Sequence, residues 1–201
     1  MYYLKESSHG KFSDLGSSFE AELIPLHSPE ELKSAQEAFK KAYPKADHYP
    51  YAFRFGGLSR SSDDGEPSGT GGRALLGLLE QKEMDECLLI VARYFGGTKL
   101  GIPRLRRAFL ESGGDAIKNA KIYVKSPCYL YSLELTYSEY NLLNSNQTRY
   151  GYHLENTIFD VKVLTTCAHA CIMNEIWEKL GFNPNALPSP QVEQHLMEVN
   201  L

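Results

Sequence analysis

Apolar and polar positions alternate through Phe19-Glu20-Ala21-Glu22-Leu23-Ile24 until Pro25 stops the run, which predicts a strand with one buried face. Ser28-Pro29-Glu30-Glu31 follows. Serine as N-cap, proline at the first helical position and glutamate three residues past the cap predict a helix start. Leu32, Ala35, Ala38 and Phe39 give that helix an apolar stripe ending near Tyr43-Pro44. Residues 49–55 predict a second strand, with Pro50 favouring an edge position near its start. Residues 56–72, rich in Gly, Ser, Asp and Pro, predict a long loop, and loops of that length are usually functional or disordered. A helix over 73–81 follows, then a strand over 87–95 apolar enough for the middle of a sheet. A second glycine loop over 96–101 leads into a helix over 103–118.

Pro127 marks the expected domain boundary. Beyond it the pattern predicts strand 129–137, helix 139–150, strands 152–159 and 161–167, helix 171–180, a Pro-rich loop and a final strand 195–200. This βαββαβ order is the ferredoxin-like pattern. The chain thus reads as two α+β domains, 1–126 and 127–201.

Composition narrows the classes. The 201 residues are 42% hydrophobic and 23% charged, with 9 Phe and 13 Tyr, enough to build packed cores and to exclude disorder, collagen and coiled coil. The longest apolar run, residues 87–92, is far short of the ~20 residues a membrane span needs. No apolar signal segment follows the N-terminal Met1-Tyr2-Tyr3-Leu4, so a cytoplasmic protein is expected, with reduced thiols at Cys87, Cys128, Cys167 and Cys171. Net charge is -4, unevenly spread: residues 1–125 hold 18 Lys+Arg against 17 Asp+Glu, and residues 126–201 hold 3 against 8. Any basic binding site must therefore be local.

Several segments carry candidate chemistry. Asp63, Asp64 and Glu66 place three carboxylates on one glycine-bearing loop, able either to hold a hard cation or to cap turns by accepting from backbone amides. The end of that loop, Ser68-Gly69-Thr70-Gly71-Gly72-Arg73, opens a helix whose free amides suit an anion, although Thr70 also serves as a simple N-cap. Arg93, Lys99, Arg104, Arg106 and Arg107, interleaved with Tyr94, Phe95 and Phe109, form a basic, aromatic-edged stretch. It reads either as a nucleic-acid backbone site or as the ionic partner of Asp63, Asp64 and Glu66. Cys167-Ala168-His169-Ala170-Cys171 lacks a second Cys/His pair at zinc-finger spacing, and no metal site is expected there. His48 reads as a general base or a hydrogen-bonded surface histidine. Arg54-Phe55-Gly56-Gly57 and Tyr94-Phe95-Gly96-Gly97 each close a strand with an aromatic residue and two glycines, so they form either one shared cleft edge or two ordinary turns.

Two long motifs carry a resemblance. Asp63-Asp64-Gly65-Glu66-Pro67-Ser68-Gly69-Thr70 with Gly72, and Arg93-Tyr94-Phe95-Gly96-Gly97-Thr98-Lys99-Leu100-Gly101, resemble the signature segments of the IMPACT/YigZ family, supported by Gly16-Ser17-Ser18-Phe19 and by Asp47-His48 before Tyr51-Ala52-Phe53-Arg54. The likeness spans residues 16–112. It implies an N-terminal fold like the second domain of ribosomal protein S-five, and a C-terminal ferredoxin-like domain akin to the last domain of elongation factor G. Eukaryotic relatives regulate translation and carry an additional N-terminal interaction domain, so the layout here resembles the bacterial one. The resemblance also implies a binding role in translation, without cofactor, toward RNA, the ribosome or a translation-related protein. The cleft residues would be Asp63, Asp64, Glu66, Ser68, Thr70, Arg73, Arg93, Tyr94, Phe95, Gly96, Gly97, Lys99, Arg104 and Arg107. A small-molecule enzyme, phosphotransferase-like or hydrolytic, using the acidic loop with a cation is the alternative. One departure stands out. Where the family usually has a threonine and a glycine pair after Leu100-Gly101, this chain has Ile102-Pro103-Arg104. That change counts against a generic small-anion site at the helix start and favours an extended phosphate backbone.

Overall fold

The computed structural model describes residues 1–160, 162–169 and 173–199. The chain divides into two compact units, Met1–Val124 with Met197–Leu201, and Lys125–Leu196.

The first unit is a five-stranded antiparallel sheet in the order β1-β2-β5-β3-β4, made of β1 (Ser8–Asp14), β2 (Ser17–Pro25), β3 (Tyr51–Phe55), β4 (Leu58–Ser62) and β5 (Cys87–Tyr94). Helices α1 (Glu31–Ala42), α2 (Gly72–Gln81) and α3 (Ile102–Lys118) cover it. The run from Cys87 to Ala92 is wholly apolar because β5 is buried on both faces. Leu89 and Val91 pack with α2 and α3 residues such as Leu75, Leu79 and Phe109, whereas Leu88, Ile90 and Ala92 pack with Leu32 and Phe39 of α1. The Phe19 and Phe109 rings meet edge to face at 5.1 Å, tying β2 to α3.

Two strands run through segments that carry no strand pattern. β4 occupies the first part of the expected 56–72 loop, pairing with β3 from Tyr51↔Ser62 to Phe55↔Leu58. Its sequence Leu-Ser-Arg-Ser-Ser has no buried residue, as suits an edge strand. β1 is equally polar, yet α3 lies directly on it: a Cβ on Gly10 would fall 2.1 Å from the Ala116 nitrogen, and the Ser8 hydroxyl donates to the Ala116 carbonyl at 2.8 Å. α1 begins at Glu31, three residues past Ser28, because the first turns are i→i+3 bonds from Glu31 N–H to Ser28 O and from Leu32 N–H to Pro29 O.

Strand direction decides what meets at the sheet ends. β4 and β5 are both antiparallel to β3, so they run the same way, and the loops that follow them leave the sheet at one edge. The β1–β2 turn and the segment entering β3 lie at that edge too. The same geometry separates the two aromatic–glycine pairs. Arg54 is opposite Cys87, so Gly56-Gly57 emerge at the end of the sheet away from Gly96-Gly97, and they form two separate turns.

The second unit has the order β6 (Ile122–Leu135), α4 (Tyr137–Tyr150), β7 (His153–Phe159), β8 (Val163–His169), α5 (Asn174–Lys179) and β9 (Gln191–Val199), with sheet order β7-β8-β6-β9. This is a βαββαβ chain path. One strand, β6, runs through position 127 instead of beginning at 129. Tyr131, Leu133, Leu135, Val163 and Cys167 point to one side, where Leu143 and Trp177 cover them. α4 starts at a capping box in which the Glu139 N–H donates to the Thr136 hydroxyl and the Thr136 N–H donates to the Glu139 carboxylate. Of the Cys167–Cys171 tract, Cys167 is buried with its thiol 3.1 Å from the Met173 sulfur, and residues 170–172 lie outside the described residues. Among the described residues no helix is long and apolar enough to cross a membrane.

Candidate functional site: a cleft between two glycine-bearing loops

The loops after β4 and β5 face one another across a cleft of about 540 Å³. One wall is Gly65, Glu66 and Pro67; the other runs from Arg93 and Phe95 through Lys99, Leu100 and Gly101 to Ile102 and Leu105 of α3, with Asp47 and His48 from the segment before β3. Volumes of this size suit small ligands or a side chain or two of a partner.

Glu66 and Arg93 form the floor. The Glu66 side chain is 1% exposed and Arg93 as a residue 9%, and Nη1 of Arg93 donates to both carboxylate oxygens. The guanidinium also stands over two rings, 5.8 Å from the centroid of Phe19 and 5.7 Å from that of Phe95. Arg93 Nε is the one buried side-chain nitrogen or oxygen among the described residues that has no hydrogen-bond partner. The Arg93 backbone is fixed as firmly as its side chain: its N–H donates to His48 O at 3.0 Å, and its carbonyl accepts from Asp47 N–H at 2.8 Å. The Asp47 carboxylate in turn accepts from Phe95 N–H at 2.7 Å. His48 Nδ1 lies 2.7 Å from the Asp64 carbonyl. A carbonyl only accepts, so Nδ1 carries the proton in this contact and the neutral ring keeps its lone pair on Nε2.

The rest of the acidic loop holds itself together. Asp63 accepts from the N–H groups of Gly69, Gly71 and Gly72 at 2.8, 3.0 and 2.8 Å, so its carboxylate occupies the α2 N-terminus that the sequence offered to an external anion. Asp64 accepts from Tyr49 N–H at 2.7 Å. Thr70 is 1% exposed, its hydroxyl donating to Pro67 O within the loop. The carboxylates of Asp63, Asp64 and Glu66 are thus each turned onto an N–H or a guanidinium.

Of the residues expected from sequence, Glu66, Arg93, Phe95 and Lys99 line the cleft, and the others lie around it. Ser68 and Arg73 are exposed beyond the loop, and Tyr94 points to the α1 side, where its hydroxyl donates to Pro44 O. Gly96 is structural: a Cβ there would lie 2.0 Å from the Gly16 carbonyl carbon, and its N–H donates to the buried Ser17 hydroxyl. That packing explains why Gly16-Ser17 accompanies the second motif. Arg104 makes a two-point pair with Asp14 at 2.7 and 3.1 Å, and Arg107 pairs with Glu111 one turn on. Three of the five cations in the basic stretch are thus paired with separate carboxylates. Asp47, Pro67, Leu100, Ile102 and Leu105 also line the cleft, and nothing in an isolated aspartate, a proline or three aliphatic residues marks a cleft until the topology gathers them.

The two glycine-bearing loops thus face one another across a cleft whose floor is the buried Glu66–Arg93 ion pair. Comparison with known proteins places the chain in a family. The sequence pattern described as the Impact N-terminal domain matches residues 15–117, and the chain belongs to the IMPACT family. It is 40% identical over 104 residues to the IMPACT family member in the pol 5' region of Thermus thermophilus, covering 52% of this chain and 56% of that one. It is 30% identical over 128 residues to IMPACT family member YigZ of Escherichia coli, covering 61% and 63%. The matched segments thus span just over half of these relatives. A crystal structure of a hypothetical protein superposes with a TM-score of 0.60 at 25% identity over 96% of this chain and 97% of that one.

Proposed function

We propose that this protein is a translation-linked regulatory binding protein whose first unit engages a protein of the translation machinery at the mouth of the Glu66–Arg93 cleft. The translational setting follows from what the family resemblance implies for eukaryotic relatives. The observation that carries the choice of partner is the distribution of charge and apolar surface at the cleft. Arg93, Arg104 and Arg107 already have carboxylates, whereas Phe95 and Ile102 at the mouth are 46% and 61% exposed. An RNA backbone needs a run of unpaired cations, and of this stretch Lys99 and Arg106 alone remain to supply it, while exposed apolar residues among mostly paired charges suit a protein interface. The same family resemblance supports a C-terminal unit akin to the last domain of elongation factor G and an N-terminal unit like the second domain of ribosomal protein S-five.

The test is a photo-crosslinking residue placed at Ile102 of the full chain in its host cell, with Lys33 on the exposed side of α1 as the control position. The expected result is an adduct with a translation factor or ribosomal protein at position 102 that survives RNase treatment and is missing at position 33. An adduct destroyed by RNase establishes the nucleic-acid reading instead, and equal labelling at both positions overturns a cleft-directed interaction.

A further inference from the structure

The turn between β1 and β2 breaks a local rule that the chain obeys elsewhere. Asp14↔Ser17 is the last pair of that hairpin, so Leu15 and Gly16 are the whole turn, at φ of 45° and 80°. A two-residue turn with both central φ positive is type I′, which Asn, Asp and Gly fill readily and leucine does not. The β3–β4 hairpin has the same kind of turn between Phe55 and Leu58, and fills it with Gly56 and Gly57 at φ of 55° and 89°. Leu15 also stands outside the core clusters of the first unit, with 47% of its surface exposed. A strained backbone position and an apolar side chain left in water both cost stability, and neither serves the fold.

Contacts on either side hold Leu15 beside the mouth of the cleft. Asp14, just before it, makes the two-point pair with Arg104 of α3. Gly16, just after it, lies against Gly96, where a Cβ on Gly16 would be 3.1 Å from the Gly96 carbonyl oxygen. Arg104 is two residues from Ile102, and Gly96 adjoins Phe95. Leu15, Phe95 and Ile102, at 47%, 46% and 61% exposed, are thus gathered at one edge of the sheet from three segments.

The surrounding charges decide what can cover them. Arg104 is matched by Asp14, and the Asp47 carboxylate accepts from Phe95 N–H. Lys99 in the cleft wall and Arg106, one helical turn on from Ile102, are exposed, and among the described residues neither has a carboxylate in contact. Two free cations fall short of the run a nucleic-acid backbone needs, but they match carboxylates that flank apolar side chains on a polypeptide. A second copy docking by this same surface would set Lys99 and Arg106 against their own like charges.

We infer that Leu15, Phe95 and Ile102 together dock a partner polypeptide segment in which carboxylates flank apolar side chains, the carboxylates meeting Lys99 and Arg106. This rests on the proposal that the cleft mouth is a protein-binding site. It adds the β1–β2 turn to that surface and states the partner's charge.

The experiment places the photo-crosslinking residue at position 15 of the full chain in its host cell, beside the position 102 and position 33 chains, and reads each cross-linked peptide by tandem mass spectrometry. The expected result is an RNase-resistant adduct at position 15 with the same protein as at 102, joined through a segment holding at least two Asp or Glu within about five residues of the cross-link. Lys99→Glu with Arg106→Glu should lower that adduct at least about 5-fold, whereas Lys99→Arg with Arg106→Lys should retain it. Leu15→Asn, which relieves the turn, should raise the thermal midpoint of the purified protein by about 2–4 °C while lowering the adduct at position 102 at least about 3-fold. An adduct at 102 with none at 15, a basic joined segment, or indifference to charge reversal overturns the inference and leaves the protein-binding proposal standing. A lowered midpoint for Leu15→Asn shows that Leu15 packs for the fold and overturns it as well. A joined peptide from this chain itself replaces the partner by a second copy and refutes the assignment. No adduct at 15 or 102, adducts destroyed by RNase, or equal labelling at 33 removes both readings.

Discussion

Replacing Glu66 by Gln tests whether the cleft floor is held by charge. The carboxylate is 1% exposed and, among the described residues, its only counter-charge in contact is Arg93, whose side chain is 11% exposed. Removing one partner of a buried pair leaves an uncompensated guanidinium, which costs about 3–5 kcal/mol. Because Arg93 borders a cleft rather than the deep core, about 3 kcal/mol is the expected loss, a large part of the about 5–15 kcal/mol that holds a typical domain folded. With a urea m-value of about 2 kcal/mol/M, that shifts the unfolding midpoint down by about 1.5 M. Arg93→Met alone should cost a similar amount by stranding the Glu66 carboxylate. The double variant, with both charges gone, should recover most of either loss and cost about 1 kcal/mol, giving a coupling energy of about 5 kcal/mol in the cycle. The penalty should barely change between low and high salt, since buried charges are poorly screened. Additive single losses, or a Glu66→Gln cost below about 0.5 kcal/mol, would refute the claim that the floor is an ion pair acting as a unit.

Three further outcomes follow from named contacts. Gly96→Ala drives a Cβ into the Gly16 and Ser17 backbone, which no side-chain rotation relieves, and should destabilise the first unit by about 1–3 kcal/mol in chemical denaturation. Asp63→Ala strips the acceptor from three N–H groups at the α2 start and should cost about 2 kcal/mol in chemical denaturation; a loss below about 0.5 kcal/mol would show that water replaces the carboxylate there. Thr136→Ala breaks the α4 capping box for about 1 kcal/mol. The Thr136 N–H and hydroxyl hold the Glu139 carboxyl below its ordinary value, so the cap's contribution is present above the ordinary carboxylate range and fades as pH falls through the lowered folded value. A pH series of denaturation curves on wild type and Thr136→Ala should therefore draw closer on acidification without meeting, because the bond from Glu139 N–H to the Thr136 hydroxyl does not depend on the carboxyl's charge.

Legibility differed between fold and site for physical reasons. Elements with strong period or punctuation were readable: the alternation of β2, the apolar run of β5 and the stripe of α1. β1 and β4 were not, because an edge strand needs no apolar face, and the signal that places β1 is a glycine that lets the α3 backbone approach. The Thr136-x-x-Glu139 box stands in the sequence, yet its tyrosine-rich surroundings suit strand and helix alike, so the expected strand runs to 137 and the expected helix starts at 139, two residues past its observed start. For the site, residue type marked the right loops and misassigned several roles. Aspartates next to glycines are as fit for capping their own loop as for meeting a ligand, and only coordinates show Asp63 turned onto α2.

The direction of chain travel explains both the successes and the errors. An aromatic–glycine pair after β3 looks the same in sequence as one after β5, yet antiparallel pairing sends them to opposite ends of the sheet, and only the second reaches the acidic loop. The loops after β4 and β5 meet because two successive antiparallel pairings restore the original direction. A cleft built this way depends on the sheet's register and not on the loops' own rigidity. Substitutions that leave the β3–β4 and β3–β5 registers intact should therefore move the affinity of a bound segment without moving its position. A one-residue slip of β4 would turn each of its side chains to the opposite face and displace the start of the acidic loop relative to Arg93, abolishing the floor pair and the cleft together.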